Sequence, residues 1–530
     1  MVRLLLLDLG TPRNELSEPI GIEVLAGYLD LHNPEVEVTL KSIELHDRHE
    51  IQSLLSSDQF SIVGISSKIG AYARLKWVLS IIQQRKFPPI VLVGDILGTF
   101  AFPELLKLFP NIICVRGEGE QALSAICDLA AEHSESVRNL LSGVPNIAYL
   151  INSNLVTTHR TAIHSSEVAP PKRHLLPEIV NRRGIAHLEA SRGCVYSHCA
   201  FCGINEKYAQ TPWRPLSIHH IISQLEELAS HDVNSPYFTD EDFFGNDFRR
   251  VEEFCQQISD SKAHGSIPNT MNFYFNCRIA SVLGDGFGGR TESKRIFKLL
   301  HDAGLREVFI GVESGSPEQI DRYRKNLSAE RSIEAILILK DNGIDLDLGF
   351  IFFDPPSTLR TLKENVDLIR KAGINNNYSR LLKKLRIEPY TPLGEAFKAQ
   401  NPDAILDFNS VSYPYHFEDP QVEEIYNIFS QWESENLDFV YGLQSYCRGE
   451  VDSEFERQQI KDLIGQYRAI DFDFLSSILT AYLQRFRNTS IKSIVDNFRT
   501  RRRSLDLFVS TKFSTQQSLS PIKNLDSQKC

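Results

Sequence analysis

The sequence of 530 residues predicts an α/β protein followed by a helical region, and two patterns point to this class. Short apolar runs alternate with helical patterns over residues 1–150 and again over residues 184–400. Such alternation is typical of βαβ units that build a parallel sheet. From residue 401 the alternation ends, and a helical, aromatic-rich stretch begins. We therefore expect two α/β domains and a helical C-terminal domain.

The first 150 residues contain five apolar runs that are typical of buried strands, and they predict a Rossmann-like domain. The predicted strands are 2–7, 36–40, 62–65, 90–93 and 112–115, and the predicted helices include 21–31, 72–84 and 120–133. Ligands of open parallel sheets bind beyond the carboxyl ends of the strands. Glycine lets the backbone approach a ligand closely. Small residues cluster where these strands end: Gly10, Ser66, Ser67, Gly94, Gly98, Gly117 and Gly119.

The remaining boundaries follow from composition and periodicity. Residues 151–183 are polar and contain three prolines, so they are predicted to form a linker. Residues 184–400 repeat a strand–helix pattern six times, which favours a partial (β/α)6 barrel with its chemistry on the loops after the strands. The predicted helical domain spans 401–505, and the polar tail 506–530 is predicted to be disordered. The predicted barrel strands are 187–190, 237–239, 272–277, 307–312, 346–353 and 385–388.

Composition and charge exclude several classes of protein. Apolar residues make up 42% and charged residues 24% of the chain, as in ordinary globular proteins. A net charge of −11 gives no general attraction to nucleic acid or anionic membrane. No run approaches the roughly 18 apolar residues of a spanning helix. Outside one triplet the nine cysteines are scattered, which indicates reduced thiols. We expect a cytoplasmic protein with no nucleic-acid partner and no membrane span.

Three cysteines, Cys194, Cys199 and Cys202, lie in one short loop after the first predicted barrel strand. Thiolates this close converge on one metal centre, and they favour zinc or an iron–sulfur cluster. A structural zinc site takes four protein ligands, whereas three thiolates on a four-iron cluster leave one iron open for a substrate. Two other interpretations stay open: a zinc site completed by His198, and buried thiols that bind no metal.

Polar residues also follow other predicted barrel strands. Asp240 follows the second, Arg278 follows the third, and Glu313 and Ser314 close the fourth. A carboxylate at a buried strand end needs a partner, and Glu313 could accept hydrogen bonds from a ribose or an ammonium group. The segment also suits a helix start, with Ser316 as N-cap before a proline. The two interpretations are compatible.

Taken in order, these motifs resemble the cobalamin-binding branch of the radical S-adenosylmethionine (SAM) enzymes. The resemblance covers about residues 1–400, including Pro-Ile-Gly-Ile-Glu-Val-Leu-Ala-Gly-Tyr-Leu at 19–29, Val-Arg-Gly-Glu-Gly-Glu at 115–120 and Gly-Val-Glu-Ser-Gly-Ser at 311–316. The chain departs from the family pattern in two places. Four residues rather than three separate Cys194 from Cys199, and Phe353 and Ser357 replace the usual glycine and glutamate.

The resemblance implies three cofactors and their sites. It implies a 4Fe–4S cluster on the three cysteines, SAM at the open iron, and cobalamin in the N-terminal domain. By the resemblance Phe201 packs near the adenine of SAM. No Asp-x-His-x-x-Gly motif occurs, and His46 and His49 have the wrong context, so the cobalt should lack an axial histidine. The residues predicted to bind SAM are Phe201, Asp240, Arg278, Glu313 and Ser314; those predicted to bind cobalamin are Gly10, Ser66, Ser67, Gly94, Gly98, Gly117 and Gly119.

The implied activity is reductive cleavage of SAM, hydrogen abstraction from a small-molecule or peptide substrate and, in most members, methyl transfer to an unactivated carbon. An electron donor such as flavodoxin or ferredoxin is expected. A radical rearrangement or cyclisation with the same cofactors is the alternative within the family, and a zinc-clasped non-enzymatic scaffold is the alternative outside it. A tRNA methylthiotransferase is disfavoured because that class carries a second cysteine set in its N-terminal domain. The N-terminal region of this chain holds only Cys114 and Cys127. The sequence identifies neither the substrate nor a catalytic residue.

Overall fold

The computed structural model describes residues 2–11, 16–132, 137–451, 453–485 and 490–513. The chain forms two compact units. The first comprises Met1–Asn276, Asp302–Gly304 and Arg386–Pro414, and the second comprises Cys277–His301, Leu305–Leu385 and Tyr415–Cys530. Over the described ranges, no helix is both long enough and apolar enough to cross a membrane.

The first unit begins with a sheet that has seven strands among the described residues. The strand order is β2-β1-β3-β4-β5-β6-β7; the first five run parallel and the last two pair antiparallel. Leu4 to Leu7 are all buried, as expected where both faces of a parallel sheet are covered. The strands are β1 (Arg3–Asp8), β2 (Glu37–Ser42), β3 (Ile62–Ser66), β4 (Ile90–Gly94), β5 (Ile113–Val115), β6 (Ile147–Ile151) and β7 (Asn154–Thr157).

Helices connect these strands and share a hydrophobic cluster with them. Leu6, Ile62 and Ile113 from the sheet belong to the same buried cluster as Leu29 and Ile126 from the helices. Each fully buried aliphatic side chain of this kind contributes about 1.5–3 kcal/mol. The helices described here are α1 (Ile20–His32), α2 (Arg48–Ser56), α3 (Tyr72–Ile82), α4 (Asp95–Phe100), α5 (Phe102–Leu108), α6 (Glu120–Glu132) and α7 (Val137–Leu140).

The segment 151–183, predicted as a linker, contains regular structure. β7 extends the sheet by pairing antiparallel with β6, and α8 (Leu176–Asn181) follows. Asn152 and Ser153 join the two strands with φ angles of 49° and 65°. A two-residue hairpin turn with positive φ at both positions usually contains glycine, so Asn-Ser gave only a weak signal in the sequence.

The first unit continues into the region predicted as a barrel. β11 pairs in parallel with β8 and with β12, and β9 pairs antiparallel with β10 beside the cysteine loop. These strands are β8 (His187–Leu188), β9 (Ser191–Arg192), β10 (Arg214–Pro215), β11 (Tyr237–Phe238) and β12 (Phe273–Cys277), and the helices are α9 (Ile204–Lys207), α10 (Ile218–Ser230) and α11 (Phe248–His264).

The second unit holds the next two parallel strands, β13 (Leu305–Glu313) and β14 (Asp345–Phe350), whose register shifts between Gly311 and Glu313. None of the described residues 385–388, predicted as a sixth barrel strand, lies in a regular strand. Lys384 makes a single parallel bridge to Phe353, and Pro355 and Pro356, which follow Phe353, lack the N–H groups needed to extend that ladder. The helices are α12 (Ile279–Val282), α13 (Gly289–Ala303), α14 (Pro317–Arg322), α15 (Ala329–Asp341) and α16 (Leu359–Lys371); α17 (Pro392–Gln400) belongs to the first unit.

Helices complete the second unit and confirm the predicted helical C-terminal region. They are α18 (Pro420–Ser434), α19 (Leu437–Arg448), α20 (Glu454–Leu483) and α21 (Ile491–Phe513). The buried Lys461 Nζ on α20 lies 2.7 Å from Glu307 on β13 and 2.6 Å from Asp345 on β14. The helix α21 reaches Phe513, so the predicted disordered tail 506–530 begins too early; residues 514–530 lie outside the described ranges.

Candidate active site

The cysteine loop joins β9 to α9 in the first unit, and its three cysteines are half-buried and form no disulfide with described residues. Burial raises the pKa of the Cys202 thiol to about 12; a hydrogen bond from the backbone N–H of Ile204 lowers it, and negative charge on Cys199 and Cys194 raises it. The three sulfurs therefore lie in one electrostatic environment, and a backbone donor points at one of them.

Within the described part of the chain, no three His, Cys, Asp or Glu side chains are close enough to hold a single metal ion. A four-iron cluster binds each thiolate at a different iron, so the three sulfurs need not meet at one ion. His198 is exposed, and its ring meets Tyr196 edge-on at 5.4 Å between centroids.

The extra residue between Cys194 and Cys199 coincides with a left-handed turn. Ser197 has a φ of 41°, a region that non-glycine residues seldom occupy. The side chain of Asn205 holds this turn by donating a hydrogen bond from Nδ2 to the Ser197 carbonyl at 2.7 Å. The second half of the loop is closed separately, because the Cys202 N–H donates to the Cys199 carbonyl at 3.2 Å.

A segment far along the chain packs against the cysteine loop. The backbone N–H of Leu393 donates to the carbonyl of Ala200 at 2.9 Å. A Cβ added to Gly203 would lie 3.3 Å from the Glu388 carboxylate and 2.6 Å from the Phe100 ring. Burial raises the pKa of Glu388. Sequence reasoning did not identify Glu388 as a neighbour of the cysteine loop.

Asp240, predicted to bind SAM, supports the start of the cysteine loop. Its side chain is 1% exposed. One oxygen accepts a hydrogen bond from Ser191 Oγ at 2.5 Å, and the other accepts from the Ala190 N–H at 2.9 Å. Burial raises the pKa of Asp240 to about 7, although these two hydrogen bonds and the charge of Arg250 lower it. Asp240 thereby fixes the backbone four residues before the first cysteine and the Ser191 side chain three residues before it.

Arg192, two residues before Cys194, is surrounded by carboxylates. Its guanidinium donates to Glu118 and Glu120 at 2.7 Å each and to Glu189 at 3.0 Å. Burial alone would lower the pKa of Arg192, but the three carboxylates raise it well above its usual value. Glu118 and Glu120 follow β5 of the N-terminal sheet, so these ion pairs join that sheet to the cysteine loop. Sequence reasoning noted the turn at 115–120 for its glycines and missed the glutamates.

A cavity of about 370 Å³ opens beyond the carboxyl ends of the N-terminal strands. Its volume falls within the usual range of ligand sites, about 300–1,000 Å³. The wall includes residues that end or follow each central strand as well as residues of the barrel region. Among the lining residues are Asp8, Ser66, Lys68, Gly94, Asp95, Gly117, Gly119, His187, Arg192 and Lys207.

Four of the seven residues predicted to bind cobalamin line this cavity: Ser66, Gly94, Gly117 and Gly119. The other three, Gly10, Ser67 and Gly98, lie outside its lining and within the described ranges. Gly98 has a packing reason of its own, because a Cβ there would approach the Val93 carbonyl to 2.2 Å. Gly117 has one as well: with a φ of 78°, it lies where a Cβ would be 2.2 Å from the Lys207 carbonyl.

His187 is a cavity residue that sequence reasoning missed. It lies on β8, where its Nδ1 is 3.0 Å from the Glu18 carbonyl and its backbone N–H donates to the Glu18 carboxylate at 2.7 Å. The two histidines considered from the sequence lie in the N-terminal region, where His46 contacts the Ser42 backbone and His49 is exposed on α2. The sequence around His187 contains no motif that identifies it as a candidate cobalt ligand.

The other residues predicted to bind SAM divide between the two units. Phe201, which is half-buried, belongs with Asp240 in the first, and Arg278, Glu313 and Ser314 belong to the second. Arg278 is half-buried and precedes α12. The Ser314 hydroxyl lies 2.5 Å from the Gln319 amide and 2.8 Å from the Asn365 amide.

Glu313 closes β13 in a constrained conformation. Its φ is 66°, and Lys325 Nζ lies 2.7 Å from its Oε1. A Cβ on Gly311 would lie 2.1 Å from Oε1, and one on Gly349 would lie 3.5 Å from Oε2. Two glycines on paired strands thus leave room for this carboxylate across the sheet surface.

Comparisons with known proteins place this site in context. Residues 188–369 match the Radical SAM superfamily. Over 377 residues the chain is 30% identical to 4'-phospho-dehydrooxetanocin synthase of Priestia megaterium. The aligned region covers 67% of this chain and 48% of the synthase. The chain is 26% identical over 369 residues to anaerobic magnesium-protoporphyrin IX monomethyl ester cyclase of Rubrivivax gelatinosus, covering 66% and 62%. It is 22% identical over 345 residues to hopanoid C-3 methylase of Methylococcus capsulatus, covering 63% and 61%. The chain thus spans about half the length of the synthase.

Two solved structures share the fold. One is the cobalamin-dependent SAM radical enzyme OxsB with aqua-cobalamin and SAM bound, with a TM-score of 0.79 and 22% identity over 97% of this chain and 81% of that chain. The other is the radical SAM methyltransferase TsrM of Kitasatospora setae with cobalamin and a 4Fe–4S cluster bound, with a TM-score of 0.62 and 18% identity over 76% and 75%. The predicted α/β architecture with a helical C-terminal region is confirmed.

Proposed function

We propose that this chain, which contains a radical SAM domain over residues 188–369, is a cobalamin-dependent radical SAM enzyme. The observation that carries the proposal is the cysteine loop, where Cys194, Cys199 and Cys202 are not joined in disulfides and where Cys194 and Cys199 act electrostatically on Cys202. The cavity at the carboxyl ends of the N-terminal strands and the fold shared with OxsB and TsrM support the cobalamin part.

The three cysteines would hold a 4Fe–4S cluster. When bound, such a cluster supplies the electron, delivered by a donor such as flavodoxin or ferredoxin, that cleaves SAM to methionine and a 5′-deoxyadenosyl radical. The protein's own residues prepare the loop for it. The Ile204 N–H stabilises the Cys202 thiolate, Asp240 fixes Ser191, and Arg192 neutralises the carboxylates beside Cys194.

SAM and cobalamin would be held by the residues predicted for them. Glu313 would accept hydrogen bonds from an ammonium group or a ribose, and Phe201 would pack against the adenine. Ser66, Gly94, Gly117 and Gly119 line the proposed cobalamin cavity, where the glycines leave the backbone open to a flat ligand. When bound, cobalamin supplies a cobalt centre that carries a methyl group or influences the substrate radical.

The substrate radical has two fates, and the relatives carry names of both kinds. Methyl transfer to an unactivated carbon is the outcome that the sequence predicts, and the hopanoid C-3 methylase bears a name of that kind. A rearrangement or cyclisation without methyl transfer is the second candidate. It is supported by the identity to the cyclase, 26% against 22% for the methylase.

The cluster assignment is tested by anaerobic reconstitution followed by iron, sulfide and zinc analysis. Wild-type protein should bind about four irons and four sulfides, by the three-thiolate logic of such clusters, and should release 5′-deoxyadenosine when reduced with SAM. Replacing any one of the three cysteines with alanine should abolish both. His198→Ala is the matched control in the same loop and should retain the cluster; iron loss in that variant, or zinc in the wild type, contradicts the assignment.

The fate of the radical is tested by the products of SAM. Cobalamin-loaded, reduced protein that transfers methyl groups should form S-adenosylhomocysteine as well as 5′-deoxyadenosine. A rearrangement enzyme should form 5′-deoxyadenosine alone. Protein without cobalamin, prepared in parallel, serves as the control for both products.

A further inference from the structure

Asp8 presents an unusual carboxylate to the cavity at the strand ends. It is the last residue of β1, it lines the cavity, and it is 2% exposed. Its Oδ2 accepts hydrogen bonds from the Gly10 N–H at 2.9 Å and from Ser42 Oγ at 3.1 Å. Its Oδ1 is buried and accepts no hydrogen bond from any of the described residues. Lys68 Nζ forms an ion pair with Oδ1 at 3.6 Å, which is beyond hydrogen-bond distance.

An unsatisfied oxygen on a buried carboxylate is costly, so its presence on a cavity wall indicates that a ligand completes it. The partner must be a hydrogen-bond donor, because a second anion would be repelled by Asp8. It must also be held close to the end of β1, since Gly10 and Ser42 fix the carboxylate from behind. A neutral N–H donor meets these conditions without displacing Lys68.

We propose that Asp8 accepts, at Oδ1, a hydrogen bond from a peripheral primary amide of the corrin ring, which makes it a specificity-determining residue for corrinoid binding. This inference rests on the proposed cobalamin function. Primary amides surround the corrin on all sides, whereas its hydroxyls are confined mainly to the nucleotide tail. A planar ligand lying across the strand ends therefore brings an amide to β1 in most orientations.

Asp47 provides a control outside the cavity lining. It is the N-cap of α2, where its Oδ1 accepts a hydrogen bond from the His49 N–H at 2.7 Å. Asparagine is an equally good N-cap. Asp47→Asn therefore removes the same charge as Asp8→Asn from the same unit without changing the cavity wall.

The test is anaerobic absorbance titration of the full chain with cobalamin and with cobinamide, which lacks the nucleotide tail. Asp8→Asn should weaken the Kd of both about ten- to hundredfold, the usual effect of losing a hydrogen bond to a charged group. Asp47→Asn should change either Kd by less than about threefold. A penalty for cobalamin alone would assign the donor to the tail and overturn the amide assignment; an unchanged Kd in Asp8→Asn would overturn the role of Asp8.

A second experiment uses wild-type protein, so its result does not depend on the folding of a variant. Corrinoids in which one peripheral amide is hydrolysed to a carboxylate place a negative charge at successive positions around the ring. At least one isomer should bind wild type about tenfold or more weakly than cobalamin, because it meets Asp8; equal binding of every isomer would overturn the proposal. Failure of wild type to bind any corrinoid would instead overturn the cobalamin function itself.

Discussion

Asp240 should make the stability of the protein depend on pH between about 4 and 7. Burial raises the pKa of this carboxyl to about 7 in the folded protein, whereas an aspartate in an unfolded chain has a pKa of about 3.9. Over this range the folded protein retains a proton that the unfolded chain has released. The stabilisation is therefore complete below about pH 4 and is lost as the pH rises through about 7. A difference of about three pKa units, at about 1.36 kcal/mol each, amounts to about 4 kcal/mol.

The measurement is urea denaturation of cluster-free protein under reducing conditions at several pH values across this range. Asp240→Asn keeps the shape of the side chain but does not titrate. The free energy of unfolding of wild type should therefore fall relative to that of the variant by up to about 4 kcal/mol as the pH rises. Glu253→Gln, which removes an exposed carboxylate on α11, should follow wild type. Parallel curves for wild type and Asp240→Asn would refute the reasoning.

Three further predictions concern the SAM site, the cobalt and the cysteine loop. Glu313→Ala should weaken SAM binding about ten- to hundredfold in equilibrium dialysis, because a charge-assisted hydrogen bond is lost, while the absorbance of the cluster is unchanged; loss of the cluster would contradict a role in SAM binding. Electron paramagnetic resonance of the cobalt(II) protein should show no nitrogen splitting from an axial imidazole, and a triplet that disappears in His187→Gln would instead identify His187 as the ligand. Arg192→Met should cost about 3–5 kcal/mol of stability because it strands buried carboxylates, whereas Arg295→Met breaks an exposed pair with Glu292 and should cost at most about 1 kcal/mol.

Local pattern predicted most of the α/β elements, because burial imposes a periodicity that a single sequence displays. The apolar run at Leu4–Leu7 marks a strand covered on both faces, and the three closely spaced cysteines mark a common centre wherever the loop lies in the fold. The match of residues 188–369 to the Radical SAM superfamily confirms the resemblance drawn from that loop. The roles of individual SAM and cobalamin residues remain predictions.

Contacts between distant segments could not be predicted, since no local pattern specifies them. Arg192 donates hydrogen bonds to Glu118 and Glu120, which lie more than 70 positions away in the sequence. In the sequence, each of these three residues resembles an ordinary surface charge. The Ala200 carbonyl accepts a hydrogen bond from the Leu393 N–H across a still longer separation in sequence. The strand-end glycines show a related ambiguity: a Cβ on Gly98 would approach the Val93 carbonyl to 2.2 Å, and in sequence this packing role is indistinguishable from a ligand-binding role.

The spacing of four residues between Cys194 and Cys199 departs from the family pattern, but the extra residue does not interrupt the hydrogen bonds at the two ends of the loop. The Cys202 N–H closes the Cys199 turn on one side, and Asp240 fixes Ser191 on the other. The left-handed turn at Ser197, held by Asn205, lies between these two fixed points. An insertion there lengthens the segment between two anchors and leaves the anchors in place. What makes the loop suitable for a cluster is therefore the set of hydrogen bonds at its ends, and the number of residues between the first two cysteines is a weaker criterion than the motif suggests.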